Sequence, residues 1–147
     1  MSEENLLKEF KDDFALFIEA GFIAVKQLDE IAARRLFRTA ELLNPDNSAS
    51  QLGLGYIELN KLQIGSATKI FEAILQKDPS HYLAQALLGI CFLLTKNKRK
   101  KGEELILDAK AKSDEPSIHN LADVCLEWSE KELKAKFSSP FAAQEKE

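Results

Sequence analysis

Glycine recurs at a fixed interval in this chain. Gly21, Gly55 and Gly89 lie 34 residues apart, and Pro45 and Pro79 repeat at the same interval. Between these markers the apolar residues follow the spacing of amphipathic helices, and each proline comes just after such a stretch. A 34-residue period that contains two helices predicts a repeat protein in which each unit is a helix hairpin.

The composition favours an all-helical chain. Leu, Ala, Glu and Lys are the most frequent residues, whereas the β-branched Val and Thr occur only twice and three times. Six glycines and four prolines are too few for the closely spaced turns of an all-β protein. The sequence therefore predicts the all-α class, and its 45% of hydrophobic residues can build a packed core.

The spacing also predicts how the chain is organised. We expect a helical lead-in over residues 1–13, repeats over 14–47, 48–81 and 82–115, a closing helix over 116–137 and a disordered tail over 138–147. Pro116 suits the first turn of a helix, where its missing N–H leaves no hydrogen bond unmade. A closing helix with one apolar side would cover the exposed end of the last repeat.

The residues at fixed positions of each repeat resemble those of tetratricopeptide repeat proteins. The first repeat offers Gly21, Ala33 and Phe37, and the second offers Gly55, Ala67 and Phe71 at the same positions. The third opens with Leu88 and Gly89 and then needs a one-residue insertion between Lys96 and Lys101. The resemblance covers residues 14–113 and implies a right-handed α-solenoid of three helix-turn-helix repeats, with glycine and alanine where the helices of a hairpin approach.

The sequence contains no constellation that indicates an enzyme. The two histidines are far apart and no zinc-ligand spacing occurs, so we expect neither a metal nor a cofactor. Cys91 and Cys125 lie in helical pattern and are predicted to be reduced core thiols of a cytosolic protein. The net charge of −4 argues against nucleic acid, and the longest apolar stretch is too short to insert into a membrane.

A basic run of five charges in six residues lies between Lys96 and Lys101. Two interpretations stay open for it. It forms a solvated turn between two helices, or it binds an acidic segment of a partner.

The first helix of each repeat is apolar on a second side, and the resemblance implies that this side lines a concave groove. A helix that is apolar on two sides must be covered on both. We therefore expect a groove that binds an amphipathic or apolar helix of another protein. The alternative is that the closing helix fills the groove of its own chain. The candidate groove residues are Ile18, Phe22, Val25, Leu52, Tyr56, Leu59, Leu83, Ile90 and Leu93.

A small acidic chain with three such repeats resembles the tetratricopeptide chaperones of bacterial type III secretion. Its size is similar to that of the needle-subunit chaperones, and the segment Gln51 to Leu59 resembles the second repeat of the translocator chaperones. The resemblance implies a cytoplasmic protein that shields an aggregation-prone secreted client and is associated with virulence. Three alternatives stay open: a translocator client, a second small co-chaperone bound to the N-terminal helix, and a general scaffold.

Overall fold

The computed structural model describes the backbone of residues 13–138 and the side chains of residues 13–135. The predicted lead-in, apart from Asp13, and the predicted tail, apart from Ser138, lie outside the described residues.

Seven helices and no strand make up this described part, which confirms the all-α class. The connections between the helices span residues 27–29, 44–48, 61–63, 78–81, 94–98 and 113–115, and the fifth of them begins at Leu94. The handedness of the stacking stays a prediction. The helices are α1 (Phe14–Lys26), α2 (Glu30–Leu43), α3 (Ala49–Asn60), α4 (Ile64–Lys77), α5 (Tyr82–Leu93), α6 (Arg99–Lys112) and α7 (Pro116–Ser138).

The chain divides into two compact units between Pro79 and Ser80. Unit one contains the two hairpins α1–α2 and α3–α4, and α2 also packs against α3. Unit two contains the hairpin α5–α6 and the helix α7, which packs against both of its helices.

The centre of unit one is the fully buried ring of Phe37 on α2. A Cβ atom built on Gly21 of α1 would lie 2.5 Å from Phe37 Cε1, and one built on Gly53 of α3 would lie 2.4 Å from the same atom. Non-bonded carbon atoms do not approach so closely. Glycine at both positions therefore allows the Phe37 ring to lie between α1 and α3. The predicted partner of Gly21 was alanine, but the atoms nearest to it belong to Phe37.

The turns inside the two hairpins of unit one have the same construction. Leu28 and Leu62 adopt left-handed backbone conformations, with φ of 60° and 58°. The Leu28 N–H donates to the Val25 carbonyl and the Asp29 N–H donates to the Ala24 carbonyl, and the same pair of bonds recurs 34 residues later. This is the Schellman arrangement, in which glycine is the usual left-handed residue.

The hairpin of unit two departs from this spacing by one residue. Its left-handed residue is Asn97, with φ of 67°, which comes 35 residues after Leu62. The extra residue lies in the turn where the sequence required an insertion. The basic run Lys96–Lys101 is divided here, because α6 begins at Arg99 and contains the second half of the run.

Helix α7 covers much of unit two. Its residues Ile118 and Ala122 are almost fully buried, and they join two apolar clusters with residues of α5 and α6. The Gln85 side chain on α5 is also buried, and its amide donates to the Leu105 carbonyl and to Asp108 Oδ2, both at 2.9 Å. Among the described helices, none is long and apolar enough to cross a membrane.

Candidate partner-binding faces

Two first helices of the repeats, α1 and α3, lie side by side in unit one and carry six of the candidate groove residues. The structure brings Phe22 and Tyr56 together, with ring centroids 5.8 Å apart. Phe22 also meets the buried Phe37 ring edge to face at 5.0 Å, so the core of the unit fixes its orientation. We call the half-buried set that remains open the α1–α3 face: Ile18, Phe22, Val25, Tyr56 and Leu59.

Leu52 does not belong to this open set. Its side chain is only 7% exposed, so it contributes to the packing of unit one and not to an accessible surface. The sequence pattern could not separate it from Tyr56, since both lie on the same side of α3 at a spacing of four residues.

A small cleft of about 160 Å³ adjoins the α1–α3 face at the end of the two helices. Its walls are the apolar side chains of Val25, Leu28 and Ile57, and Asn60 lies beside them. Glu30 and Lys61 complete the lining and form an ion pair, with Lys61 Nζ 3.0 Å from Glu30 Oε1. The cleft is therefore apolar inside and charged at its rim.

The charges at this rim belong to a network that joins α2 to α3. Arg34 Nε lies 2.9 Å from Glu30 Oε1, and the Arg34 guanidinium also pairs with Glu58. The hydrogen bond from Lys61 lowers the pKa of Glu30, and Arg34 adds to this effect. The pKa of Arg34 is raised chiefly by its hydrogen bond with Glu58. These shifts favour the charged forms of Glu30 and Arg34, so their ion pair persists near neutral pH.

The three candidate groove residues of unit two take part in the packing of α5 with α6 and α7. Leu93 is buried, and Leu83 and Ile90 are half-buried. Leu83 packs against a cluster that includes Ile118 of α7, and Ile90 packs against one that includes Ala122 of α7. Leu93 is itself 9% exposed and belongs to that second cluster. In unit two the closing helix thus lies over the side of α5 that the sequence left open, as in the alternative interpretation.

Several exposed apolar residues were not among the candidates. Leu16 and Ile23 on α1 are 62% and 50% exposed and are seven residues apart, a spacing that places them on one side of the helix. Leu28 is 91% exposed at the turn of the first hairpin. The sequence does contain a signal for Leu28, because an apolar residue in a turn has no role at the fixed positions of the repeat.

Unit two contains a larger cleft, of about 700 Å³, between the end of α5, the following turn and α7. Trp128 lies on α7, and its side chain is 43% exposed. The lining residues are Leu93, Leu94, Thr95, Lys96, Asn97, Arg99, Trp128 and Glu132.

Cys91 is buried and Cys125 is half-buried, and the two form no disulfide with each other. Burial raises the pKa of the Cys125 thiol, which keeps it protonated and weakly nucleophilic. Over residues 13–138, no group of three His, Cys, Asp or Glu side chains is arranged to hold a metal ion.

No family model matches this chain, and neither a curated protein nor a solved structure matches it.

Proposed function

We propose that the chain binds another protein and holds an apolar or amphipathic helix of that client along the α1–α3 face. The observation that carries this proposal is the contact between Phe22 and Tyr56, two half-buried rings from different repeats that form one continuous apolar surface. The surface continues into the cleft beside Val25, so a bound helix would meet apolar atoms along both helices.

The energetics favour such a use of the face. Removing apolar surface from water is worth about 25 cal/mol per Å². Aromatic side chains held by their own core bind with little loss of conformational freedom, which is why they dominate many interfaces. The half-buried Tyr56 side chain also ends in a hydroxyl, which can hydrogen-bond a polar group of the client.

We further propose the client class that the sequence resemblance implies, an aggregation-prone secreted subunit such as the needle subunit of a type III secretion system. On this proposal the chain acts in the bacterial cytoplasm as a chaperone and performs no catalysis. A translocator protein is the second candidate client. The alternative function is that of a permanent scaffold, since the same face could bind a protein in a stable assembly.

The test is to compare Tyr56→Glu with Leu42→Glu in the native cell. Both changes add one carboxylate to unit one, but Leu42 lies on α2, is 68% exposed and is not part of the face. We expect Tyr56→Glu to abolish co-purification of the client and Leu42→Glu to retain it, with helical circular dichroism in both. Because the contact is apolar, capture should also survive high salt. Equal capture by both variants would show that the α1–α3 face is not the site.

A second measurement separates the chaperone from the scaffold. The captured protein, identified by mass spectrometry, is expressed alone and together with the chain. A chaperone's client becomes soluble only in the presence of the chain, whereas a scaffold's partner is soluble in both cases. A small co-chaperone would appear as a further component that stays bound when Tyr56 is changed.

A further inference from the structure

The large cleft of unit two combines an apolar wall with a basic rim. Leu94 and Trp128 form the apolar wall. Each of these side chains is 43% exposed. Lys96 on the turn and Arg99 at the start of α6 also line the cleft. Glu132, one helical turn from Trp128 on α7, adds a single carboxylate.

The lysines of the basic run form no ion pair within the described residues, whereas Arg99 does, with its Nε 3.5 Å from Glu103 Oε1. Lys96 and Lys100 have no carboxylate within ion-pair distance there. Lys98 and Lys101 lie over the Phe92 ring, at 5.2 and 5.3 Å from its centroid, and have no acidic partner either. A concentration of unpaired cations repels itself and attracts an anionic partner.

Arg99 is held in place but keeps one donor free. Its Nε donates to the buried Ser129 Oγ at 2.8 Å, and Ser129 donates to Glu103 Oε1 at 2.6 Å. Its Nη2 has no hydrogen-bond partner among the described residues. A buried donor without a partner costs free energy, which a carboxylate brought to the cleft would recover as its wall adjusts.

The position of these cations in the fold points the same way. Arg99, Lys100 and Lys101 occupy the first turn of α6, where the helix dipole is positive. This turn contains no acidic residue and no side-chain cap, and the ion pair of Arg99 is with Glu103 in the next turn. Cations at this end of a helix are unfavourable in the chain alone. An anionic partner would relieve both the repulsion among the side chains and the dipole.

We propose that this cleft binds an acidic peptide segment of a partner protein that carries an apolar side chain between its acidic residues. The apolar side chain packs between Leu94 and Trp128, and the flanking carboxylates pair with Lys96 and Arg99. Glu132 accepts a hydrogen bond from a backbone N–H of the peptide, a donor that every peptide offers. The site lies within unit two and does not depend on the α1–α3 face.

The same features disfavour a nucleic acid as the occupant. The carboxylate of Glu132 in the lining repels phosphate groups, and Trp128 is the single aromatic side chain of the lining on which a base could stack. The chain as a whole carries a net charge of −4. A peptide has spaced charges and apolar groups and so matches the lining at each point.

Trp128 is the only tryptophan of the chain, so its fluorescence reports on this cleft. The full chain is titrated with a short synthetic peptide that has a central Phe-Leu pair flanked by Asp and Glu residues. We expect the Trp128 emission to move to shorter wavelength as the peptide binds. The same peptide with Lys in place of each acid should leave the emission unchanged.

Two variants of equal charge locate the site. Lys96→Glu reverses a charge in the lining, and Lys100→Glu reverses an exposed charge outside it. We expect Lys96→Glu to weaken peptide binding about tenfold and Lys100→Glu to weaken it about twofold. Leu94→Ala should also weaken binding, whereas Leu107→Ala, at a 53% exposed position of α6, should not.

Four outcomes would overturn the proposal. They are an unchanged emission with the acidic peptide, equal binding of the lysine peptide, equal loss in Lys96→Glu and Lys100→Glu, and tighter binding of a single-stranded RNA than of the peptide. Tyr56→Glu should leave peptide binding intact, so failure at this cleft is distinguishable from failure of the α1–α3 face.

Discussion

Phe37 shows how a single side chain determines which residues its neighbours can be. Its ring is fully buried between Gly21 and Gly53, and it also orients Phe22 on the α1–α3 face. A close-packed ring cannot move aside to make room for a new atom. The structure therefore links core packing to the candidate binding surface through one residue.

The first prediction concerns Gly53. Gly53→Ala places a methyl group against Phe37 and should destabilise the protein by about 1–3 kcal/mol. Gly65→Ala is the matched control, because a Cβ there meets nothing within 4 Å, and it should stabilise α4 by up to about 1 kcal/mol. Urea unfolding followed by circular dichroism measures both. Equal stability of the two variants would contradict the packing around Phe37.

Sequence reasoning found only part of this contact. The 34-residue interval singled out Gly21 and Gly55, and the structure places each against a buried phenylalanine ring. Gly53 was missed because it has no counterpart at that interval, so its role becomes visible only when α2 and α3 are packed together. Periodicity identifies residues that repeat, but it gives no signal for a residue that serves one particular interface.

At the scale of the element, the two equivalent turns of unit one place a leucine in the left-handed conformation just after the first helix of each hairpin. Leu28 and Leu62 adopt a conformation that costs a residue with a Cβ about 1–2 kcal/mol, and they are 91% and 71% exposed. Burial does not compensate for this cost at either position. Leu28 does line the apolar cleft beside the α1–α3 face, where a client would cover it.

The second prediction follows from this conformation. Leu28→Gly removes the backbone strain and should stabilise the protein by up to about 1 kcal/mol, since the greater freedom of glycine in the unfolded chain offsets part of the gain. Leu28→Ala keeps the Cβ and should give no gain. Thermal melting compares the two. If both raise the melting temperature equally, the left-handed conformation at position 28 is not strained.

The ionic network between α2 and α3 makes a third prediction, on pH. The pKa of Glu30 is lowered from 4.5 in the folded chain, so its contribution to stability is complete above that value and is lost as the pH falls through the lowered folded pKa. Glu30→Gln should therefore be less stable than the wild type at neutral pH, and the difference should shrink under acid conditions. Unfolding in urea at several pH values measures this.

The control for this pH prediction is Glu72→Gln. Glu72 is exposed on α4 and takes no part in the network of Glu30, Arg34, Glu58 and Lys61, so Glu72→Gln should not reproduce the pH-dependent loss expected of Glu30→Gln. A constant difference for Glu30→Gln as well would mean that the network does not stabilise the fold.

At the scale of the whole molecule, the two units treat the same sequence pattern differently. The first helices of unit one keep an open apolar face, whereas unit two places α7 over Leu83 and Ile90. The sequence predicted all these residues as one groove, because each lies on the second apolar side of its helix. Which of them are covered depends on how α7 packs, and the spacing of apolar residues within a helix does not specify its partner.

The cleft of unit two was harder still to predict. The sequence indicated a basic turn over Lys96–Lys101, but α5 ends at Leu93 and α6 begins at Arg99. This division places Leu94 in the turn and Arg99 on a helix, so that both can line a cleft with Trp128. Composition identified the charge correctly, whereas the apolar wall depends on helix ends that patterning locates only within a few residues.

The fourth prediction tests the covering role of α7. Ile118 is 3% exposed, and Ile118→Asp buries a carboxylate in the cluster that includes Ala86 and Ala109, which should cost at least about 3 kcal/mol. Val124→Asp, at a 65% exposed position of the same helix, should change stability by less than about 0.5 kcal/mol. Unfolding followed by Trp128 fluorescence reports on unit two. Similar stability of the two variants would mean that α7 does not cover it.

The contact between Phe37 and Gly53 also forbids exchange of the repeats. Gly53 is the sixth residue of its repeat, and the sixth residues of the first and third repeats are Glu19 and Leu87. A copy of residues 14–47 inserted after Asn47 would therefore bring a glutamate against the Phe37 ring, although the period would be preserved. The first repeat therefore cannot be its own successor without repacking Phe37, and the first hairpin accepts the second because of one missing methyl group.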